Sequence, residues 1–128
     1  MNKKICYLID DDPDELDFFT MAIKELNVSL ELVYSNNASH AMEALERKEI
    51  IPHYIFVDIN MPKKNGWECL SLINRLDHLS KVPIAIYSTT LPFLIPVNVD
   101  NLKFVKMVRK ATTISELKVT LSDYFKSN

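Results

Sequence analysis

The chain is 128 residues long, 48% hydrophobic and 25% charged, which is typical of one globular domain. A formal net charge of −2, with acidic and basic residues interspersed, provides no broad basic face for a nucleic acid. The apolar run near the amino terminus is too short for a secretion signal or a membrane span, so we expect a cytoplasmic protein with no membrane partner.

Five short apolar runs alternate with helical patterns along the chain. Because strands that alternate with helices form right-handed crossovers, this order predicts an α/β domain whose parallel sheet is covered on both faces. The apolar runs occupy residues 5–9, 30–34, 54–57, 83–87 and 102–108, and the helical patterns cover 13–26, 38–48, 67–76 and 114–125.

The first apolar run ends at three consecutive aspartates, and a helix is predicted to begin directly after them. Asp12 suits the N-cap position and Pro13 the first helical position, while Glu15 lies three residues after the cap and completes a capping box. Capping explains Asp12 but needs neither of its two neighbours, and adjacent carboxylates repel one another. Asp10 and Asp11 are therefore candidates for another role.

The third apolar run stops at Asp58 and then turns. Pro62 biases Met61 away from a helical conformation, and Gly66, the only glycine of the chain, is predicted to supply a positive φ in this turn. Ligands of open parallel sheets bind at the carboxyl ends of the strands, where Asp58 lies. Taken alone, the same residues also fit an ordinary strand-to-helix turn with a surface aspartate.

Polar side chains follow four of the five predicted strands, at one edge of the sheet. Clustered carboxylates bind a hard divalent cation, and Mg²⁺ is favoured because it keeps waters for other ligands. Asp58 can then attack phosphorus and form an acyl phosphate. The metal and Lys110 would neutralise charge on the oxygens of the transferring phosphoryl group, and the Ser88 hydroxyl would donate a hydrogen bond to another of these oxygens. The side chains in question are those of Asp10, Asp11, Asp58, Ser88 and Lys110.

Three segments together resemble the response-regulator receiver domain of two-component signalling, and the likeness covers nearly the whole chain. The intervals of 30 residues from Asp58 to Ser88 and of 22 residues from Ser88 to Lys110 also fit this family. The resemblance implies a flavodoxin-like, doubly wound sheet of five parallel strands in the order 2-1-3-4-5, which is the order of the chemotaxis receiver. The three segments are residues 8–13, the pattern Asp58-x-Asn60-Met61-Pro62-x-x-x-Gly66, and residues 83–88.

The resemblance also implies roles for individual residues. Asp58 would be the phosphoacceptor. Asp10 and Asp11 would hold Mg²⁺ together with Asp58, and Asn60 would contribute its backbone carbonyl. The side chains implied to contact the phosphoryl group are those of Ser88 and Lys110.

By the same likeness, the phosphoryl donor is a phosphohistidine on a histidine kinase or a histidine phosphotransfer protein, and the signal passes to a downstream protein that the sequence does not identify. Residues 1–128 would form a single receiver domain with no output domain. Such a domain is not an enzyme of metabolism, since it catalyses only its own phosphorylation and dephosphorylation.

Two other classes of function remain open. The first is a receiver-shaped interaction module that is never phosphorylated. The second is a nucleotide- or flavin-binding α/β enzyme, which is disfavoured because one glycine in the chain leaves no glycine-rich loop to bring backbone N–H groups against phosphates.

The chain departs from the family near the lysine. Receivers usually have proline after this lysine, whereas Ala111 follows Lys110. A cis bond before a residue other than proline costs about 3 kcal/mol, so a trans bond and a displaced lysine are predicted. Lys106 is a competing candidate for the lysine. Met107 occupies the position of the family's aromatic switch, and methionine changes conformation easily.

The segment 91–101 departs most, because it should contain the fourth of five helices. Pro92 could begin a helix, but Pro96 would then lie inside it at a cost of about 3 kcal/mol or more. We therefore predict a missing or single-turn helix here. The apolar residues of this segment either line a partner surface or tuck onto the core.

Overall fold

The computed structural model describes residues 3–61, 66–92 and 94–128. Within the described residues, no helix is both long enough and apolar enough to cross a membrane. The strands are β1 (Lys4–Ile9), β2 (Leu30–Ser35), β3 (Tyr54–Asp58), β4 (Ile84–Ser88) and β5 (Val105–Arg109). The helices are α1 (Pro13–Leu26), α2 (Ala38–Glu46), α3 (Gly66–Arg75) and α4 (Ile114–Ser127), with a 3₁₀ turn at Asp77–Leu79.

The five strands form one parallel sheet in the order β2-β1-β3-β4-β5, which confirms the predicted flavodoxin-like topology. In the register of the sheet, Asp58 is paired with Tyr87, and Ser88 is paired with Arg109. The last residues of β3, β4 and β5 therefore lie side by side. This register brings the polar residues that end the strands to one edge.

Alternating side chains of the strands supply two separate apolar clusters, one on each face of the sheet. On β4, for example, Ile84 and Ile86 belong to one cluster while Ala85 and Tyr87 belong to the other. Helices α2 and α3 cover the first cluster, which is mostly aliphatic, and we call it the α2/α3 face. Helices α1 and α4 cover the second, the α1/α4 face, where aromatic rings meet.

The predicted start of α1 is confirmed. The Asp12 side chain accepts a hydrogen bond from the Asp14 backbone N–H, and Pro13 is the first helical residue. The capping box is not formed, because the Asp12 backbone N–H donates to the Asp10 carboxylate and not to Glu15. At the start of α4, the Thr113 side chain accepts a hydrogen bond from the Glu116 backbone N–H. Glu15 is consequently free to turn elsewhere.

Element boundaries differ from the predicted ones by a few residues. Helix α2 ends at Glu46, two residues early, and β5 begins at Val105, because Leu102 is held in a turn by a hydrogen bond to the Val99 carbonyl. Helix α3 begins at Gly66, one residue early. The 3₁₀ turn was not predicted. These ends depend on contacts that helical and strand periodicity do not encode.

The predicted positive φ at Gly66 is wrong, since no described glycine has one. Gly66 is instead required by a close approach. A Cβ atom at this position would lie 2.2 Å from the Asp58 carbonyl oxygen and 2.6 Å from the Ile59 Cα. Helix α3 therefore begins directly against the end of β3. Pro62, which was predicted to bias Met61, lies outside the described residues.

The described part of the segment 91–101 contains no helix, as predicted, and Phe93 lies outside the described residues. Three of its apolar side chains, those of Ile95, Val97 and Val99, pack against the α2/α3 face. Leu94 is 79% exposed. The segment is therefore tucked onto the core through these three side chains, while Leu94 points into solvent.

Candidate functional site

Asp10 follows β1 and is fully buried. One of its oxygens, Oδ1, accepts a hydrogen bond from the Asp12 backbone N–H at 3.0 Å. The other, Oδ2, lies 2.9 Å from the Lys110 Nζ. Burial raises the pKa of Asp10 to about 6, although both hydrogen bonds act in the opposite direction. The lysine therefore stabilises a carboxylate that burial alone would neutralise.

Asp58 ends β3 and is 4% exposed. Its Oδ1 accepts a hydrogen bond from the Asn60 backbone N–H at 3.0 Å, and its Oδ2 lies 3.4 Å from the Lys110 Nζ. These two contacts hold the carboxylate at the edge of the sheet. Gly66 leaves room for this strand end to meet α3.

Lys110 follows β5, and its ammonium lies among three carboxylates. The distances from Nζ are 2.9 Å to Asp10, 3.4 Å to Asp58 and 4.0 Å to Glu15. Burial acts to lower the pKa of Lys110, but the hydrogen bond that its ammonium donates to Asp10 and the negative charges around it outweigh burial and raise this pKa. Lys110 is the lysine of the site, since Lys106 is exposed on β5.

No peptide bond of the described residues is cis, so the trans bond predicted between Lys110 and Ala111 is confirmed. With this trans bond Lys110 still belongs to the site, because its ammonium reaches both Asp10 and Asp58. Met107, at the position of the aromatic switch, is partly buried against the α2/α3 face.

Ser88 ends β4 and is fully buried. Its hydroxyl donates to the Thr90 carbonyl at 3.0 Å and accepts from the Asn60 side-chain amide at 3.3 Å. Asn60 thus connects the two strand ends, since its backbone N–H binds Asp58 and its side chain binds Ser88. The family resemblance implies a role only for the backbone carbonyl of Asn60, so this bridge was not predicted.

The carboxylates of Asp10, Asp11 and Asp58 could hold a metal ion. One oxygen from each lies within 4.8 Å of the others. Asp11 is more exposed than the two buried aspartates, so the cluster is open on its side. Convergent carboxylate oxygens with one open side fit Mg²⁺, which takes oxygen ligands from a few carboxylates and keeps several waters.

Glu15 is the residue of the site that the sequence analysis assigned to a different role. In place of the predicted capping contact, its Oε1 lies 4.0 Å from the Lys110 Nζ. Its Oε2 is buried and has no hydrogen-bond partner among the described residues. Burial raises the pKa of Glu15 to about 7, against the attraction of Lys110. The sequence feature that could have indicated this role is the position of Glu15 in the first turn of α1, next to the edge where the strands end.

Known proteins resemble this chain over most of its length. The family model of the response regulator receiver domain matches residues 6–122. The response regulator Rcp1 of Synechocystis is 25% identical over 92 residues, which are 68% of this chain. The match covers 63% of Rcp1, less than two thirds of that relative.

Solved structures share the fold. The phosphorylated cyanobacterial phytochrome response regulator RcpA has a TM-score of 0.78 at 22% identity, over 99% of this chain and 97% of that one. The receiver domain of the sensor histidine kinase PA1611 from Pseudomonas aeruginosa, with a magnesium ion coordinated in its active site cleft, has a TM-score of 0.73 at 16% identity, over 98% and 99% of the two chains. The family match, the strand order and the acidic cluster agree, and the chain belongs to the response regulator receiver domain family.

Proposed function

We propose that this receiver domain takes a phosphoryl group onto Asp58 from a phosphohistidine of a histidine kinase or histidine phosphotransfer protein, and signals by binding a downstream protein. The observation that carries the proposal is the position of the Lys110 ammonium, which contacts both Asp10 and Asp58. A buried carboxylate beside a buried cation is arranged to bind a dianionic group and stabilise its charge.

In the proposed reaction, a carboxylate oxygen of Asp58 attacks phosphorus in line with the bond to the donor imidazole. The new O–P bond forms as the N–P bond breaks, and the departing imidazole nitrogen takes a proton from solvent. Lys110 exchanges part of its contact with Asp10 and Asp58 for the phosphoryl oxygens. The Ser88 hydroxyl turns from the Thr90 carbonyl to donate to one of them.

The ligands proposed for Mg²⁺ are the carboxylates of Asp10, Asp11 and Asp58 and the backbone carbonyl of Asn60. Support comes from the convergence of the three carboxylates within 4.8 Å and from the magnesium ion in the cleft of the Pseudomonas aeruginosa receiver. When bound, Mg²⁺ neutralises charge on the transferring oxygens. It also offsets the repulsion among the acidic side chains, which Lys110 balances only in part.

The test is incubation with acetyl phosphate and Mg²⁺, followed by intact-mass measurement. The wild-type protein should gain the mass of one phosphoryl group, and Asp58→Asn should gain none because an amide is not a nucleophile toward phosphorus. Asp17→Asn, which changes an exposed acid on α1, is the matched control and should be phosphorylated normally.

No gain in the wild-type protein, or a gain that survives Asp58→Asn, would contradict the proposal. The protein would then be the receiver-shaped interaction module of the sequence analysis. A phosphorylated phosphotransfer protein in place of acetyl phosphate tests the proposed donor class, and we expect it to lose one phosphoryl group for each one that this protein gains. We also propose a cytoplasmic location, because the phosphohistidine donors of this family act in the cytoplasm.

A further inference from the structure

The ring of Tyr87 faces the Lys110 ammonium, and Tyr87 has no role in the proposed reaction. It precedes Ser88 on β4, and its side chain is fully buried on the α1/α4 face. The rings of Phe19 and Phe56 meet it edge-on, with centroids 5.4 and 5.8 Å away. These edge contacts fix the orientation of the phenol ring.

Two contacts join Tyr87 to the segment that carries the lysine. The Lys110 Nζ lies over the face of the ring, 5.6 Å from its centroid, which is within the range of a cation–π interaction. The Tyr87 hydroxyl accepts a long hydrogen bond, of 3.4 Å, from the Ala111 backbone N–H. Proline at position 111 would have no N–H to donate, so this contact depends on the alanine.

From these contacts, we propose that Tyr87 is a positioning residue, which holds Lys110 over the carboxylate cluster with its ring below the ammonium and its hydroxyl on the Ala111 N–H. The inference rests on the proposed phosphorylation of Asp58. A lysine side chain has four rotatable bonds, and holding its ammonium in one place costs conformational entropy. Tyr87 lowers this cost, because it fixes the backbone after Lys110 and attracts the ammonium.

A purely structural role is the alternative, since a buried tyrosine among aromatic rings would stabilise any core. Tyr124 provides the matched control. It belongs to the same cluster, and its hydroxyl is buried without a hydrogen-bond partner in the described part of the chain. Tyr124→Phe therefore removes a buried hydroxyl from the α1/α4 face without touching Lys110.

The first measurement is the initial rate of phosphorylation by acetyl phosphate, followed by intact mass. Tyr87→Phe keeps the ring and should lower the rate about fivefold, the size expected for one net hydrogen bond. Tyr87→Leu also loses the ring face and should lower the rate further. Tyr124→Phe should stay within about twofold of the wild-type rate. Equal rates for Tyr87→Phe and the wild-type protein would overturn the proposal.

The second measurement reports the position of the lysine without phosphorylation. Because the Lys110 Nζ lies over the ring face, we expect the adjoining ε-methylene protons to be shifted upfield in the NMR spectrum of the wild-type protein. The shift should persist in Tyr87→Phe and disappear in Tyr87→Leu. Lys118, which pairs with Glu25 on the surface, is the internal reference. Absence of the shift in the wild-type protein, or its survival in Tyr87→Leu, would overturn the proposal.

The two measurements also separate this inference from the function on which it rests. A wild-type protein that takes no phosphoryl group contradicts the proposed function, and the NMR shift then still decides whether Tyr87 holds Lys110. A wild-type protein that is phosphorylated at a rate insensitive to Tyr87→Phe contradicts the positioning role alone.

Discussion

The two faces of the sheet are packed in different ways. On the α1/α4 face, aromatic rings contact one another at centroid distances from 4.8 to 6.2 Å. The α2/α3 face is mostly aliphatic, and the segment 94–101 covers part of it without forming a helix. Rings that meet edge-on constrain each other's orientation, whereas aliphatic side chains exchange neighbours at little cost.

The site is supported differently by these two faces. Glu15 and Lys110 approach it beside the α1/α4 face, where the Tyr87 ring lies below the ammonium. Met107 packs on the opposite face, together with Ile95. The charged groups of the site are therefore held from the aromatic side, while Met107 on the opposite side can change its conformation easily.

The largest expected effect is a loss of stability when one ring is removed from the α1/α4 face. Phe56 is fully buried and contacts the rings of Phe19, Tyr87 and Tyr124. Phe56→Ala should lower the free energy of unfolding by about 4 kcal/mol. Ile95→Ala, in the segment without a helix, should lower it by only about 1 kcal/mol, because the isoleucine is half-buried. Urea unfolding measures both. Equal losses would show that the two faces do not differ in rigidity.

A smaller effect is expected at the contact between α3 and β3. Alanine is favoured over glycine in helices by about 1 kcal/mol, yet Gly66→Ala should destabilise the protein by about 2 kcal/mol. The reason is that the new Cβ atom meets the Asp58 carbonyl oxygen. Urea unfolding checks this value, with Ser71→Ala on the same helix as the control, expected to be nearly neutral. A stabilised Gly66→Ala protein would refute the close approach.

The smallest effect concerns Glu15, whose Oε2 has no hydrogen-bond partner among the described residues. Because burial raises its pKa from 4.5 to about 7, the folded protein retains a proton that the unfolded chain has lost. Stability is therefore lost as pH rises from about 4.5 to 7. In the presence of a metal chelator, Glu15→Gln should be more stable than the wild-type protein by roughly 1–2 kcal/mol at pH 7.5, and no more stable at pH 4.5.

The pH dependence of this difference is its test. Asp10 contributes a similar loss, since burial raises its pKa to about 6, but it is present in both proteins and cancels in the comparison. Glu31→Gln changes an exposed acid on β2 and should leave the pH dependence of the wild-type protein unaltered. A Glu15→Gln protein that loses as much stability with rising pH as the wild-type protein would count against a Glu15 carboxyl whose pKa is raised by burial.

Features that depend on neighbouring residues could be predicted well. Asp12 and Pro13 are adjacent, so the start of α1 follows from local capping preferences. Pro96 excludes a regular helix wherever it lies in the fold, and the described residues around it form none. The order of the strands in the sheet came from the family resemblance, since periodicity alone does not set it.

Features that depend on distant residues could not be predicted. Glu15 was assigned to a capping box from its spacing, but Asp10 takes the N–H that this box requires, and the glutamate turns toward Lys110. Gly66 was expected to be needed for its φ, whereas the carbonyl of Asp58 is what excludes a side chain there. In each case a rule for adjacent residues missed a contact made at the edge of the sheet.

The sequence by itself determined the class of the domain, the alternation of its strands and helices, and the residues that end the strands, because each of these depends on a short stretch of chain. Only the tertiary structure decided which side chains share one site. The distance between the ammonium of Lys110 and the carboxylates, the ring of Tyr87 below it and the burial of Glu15 all depend on how the sheet and its two layers of helices pack together.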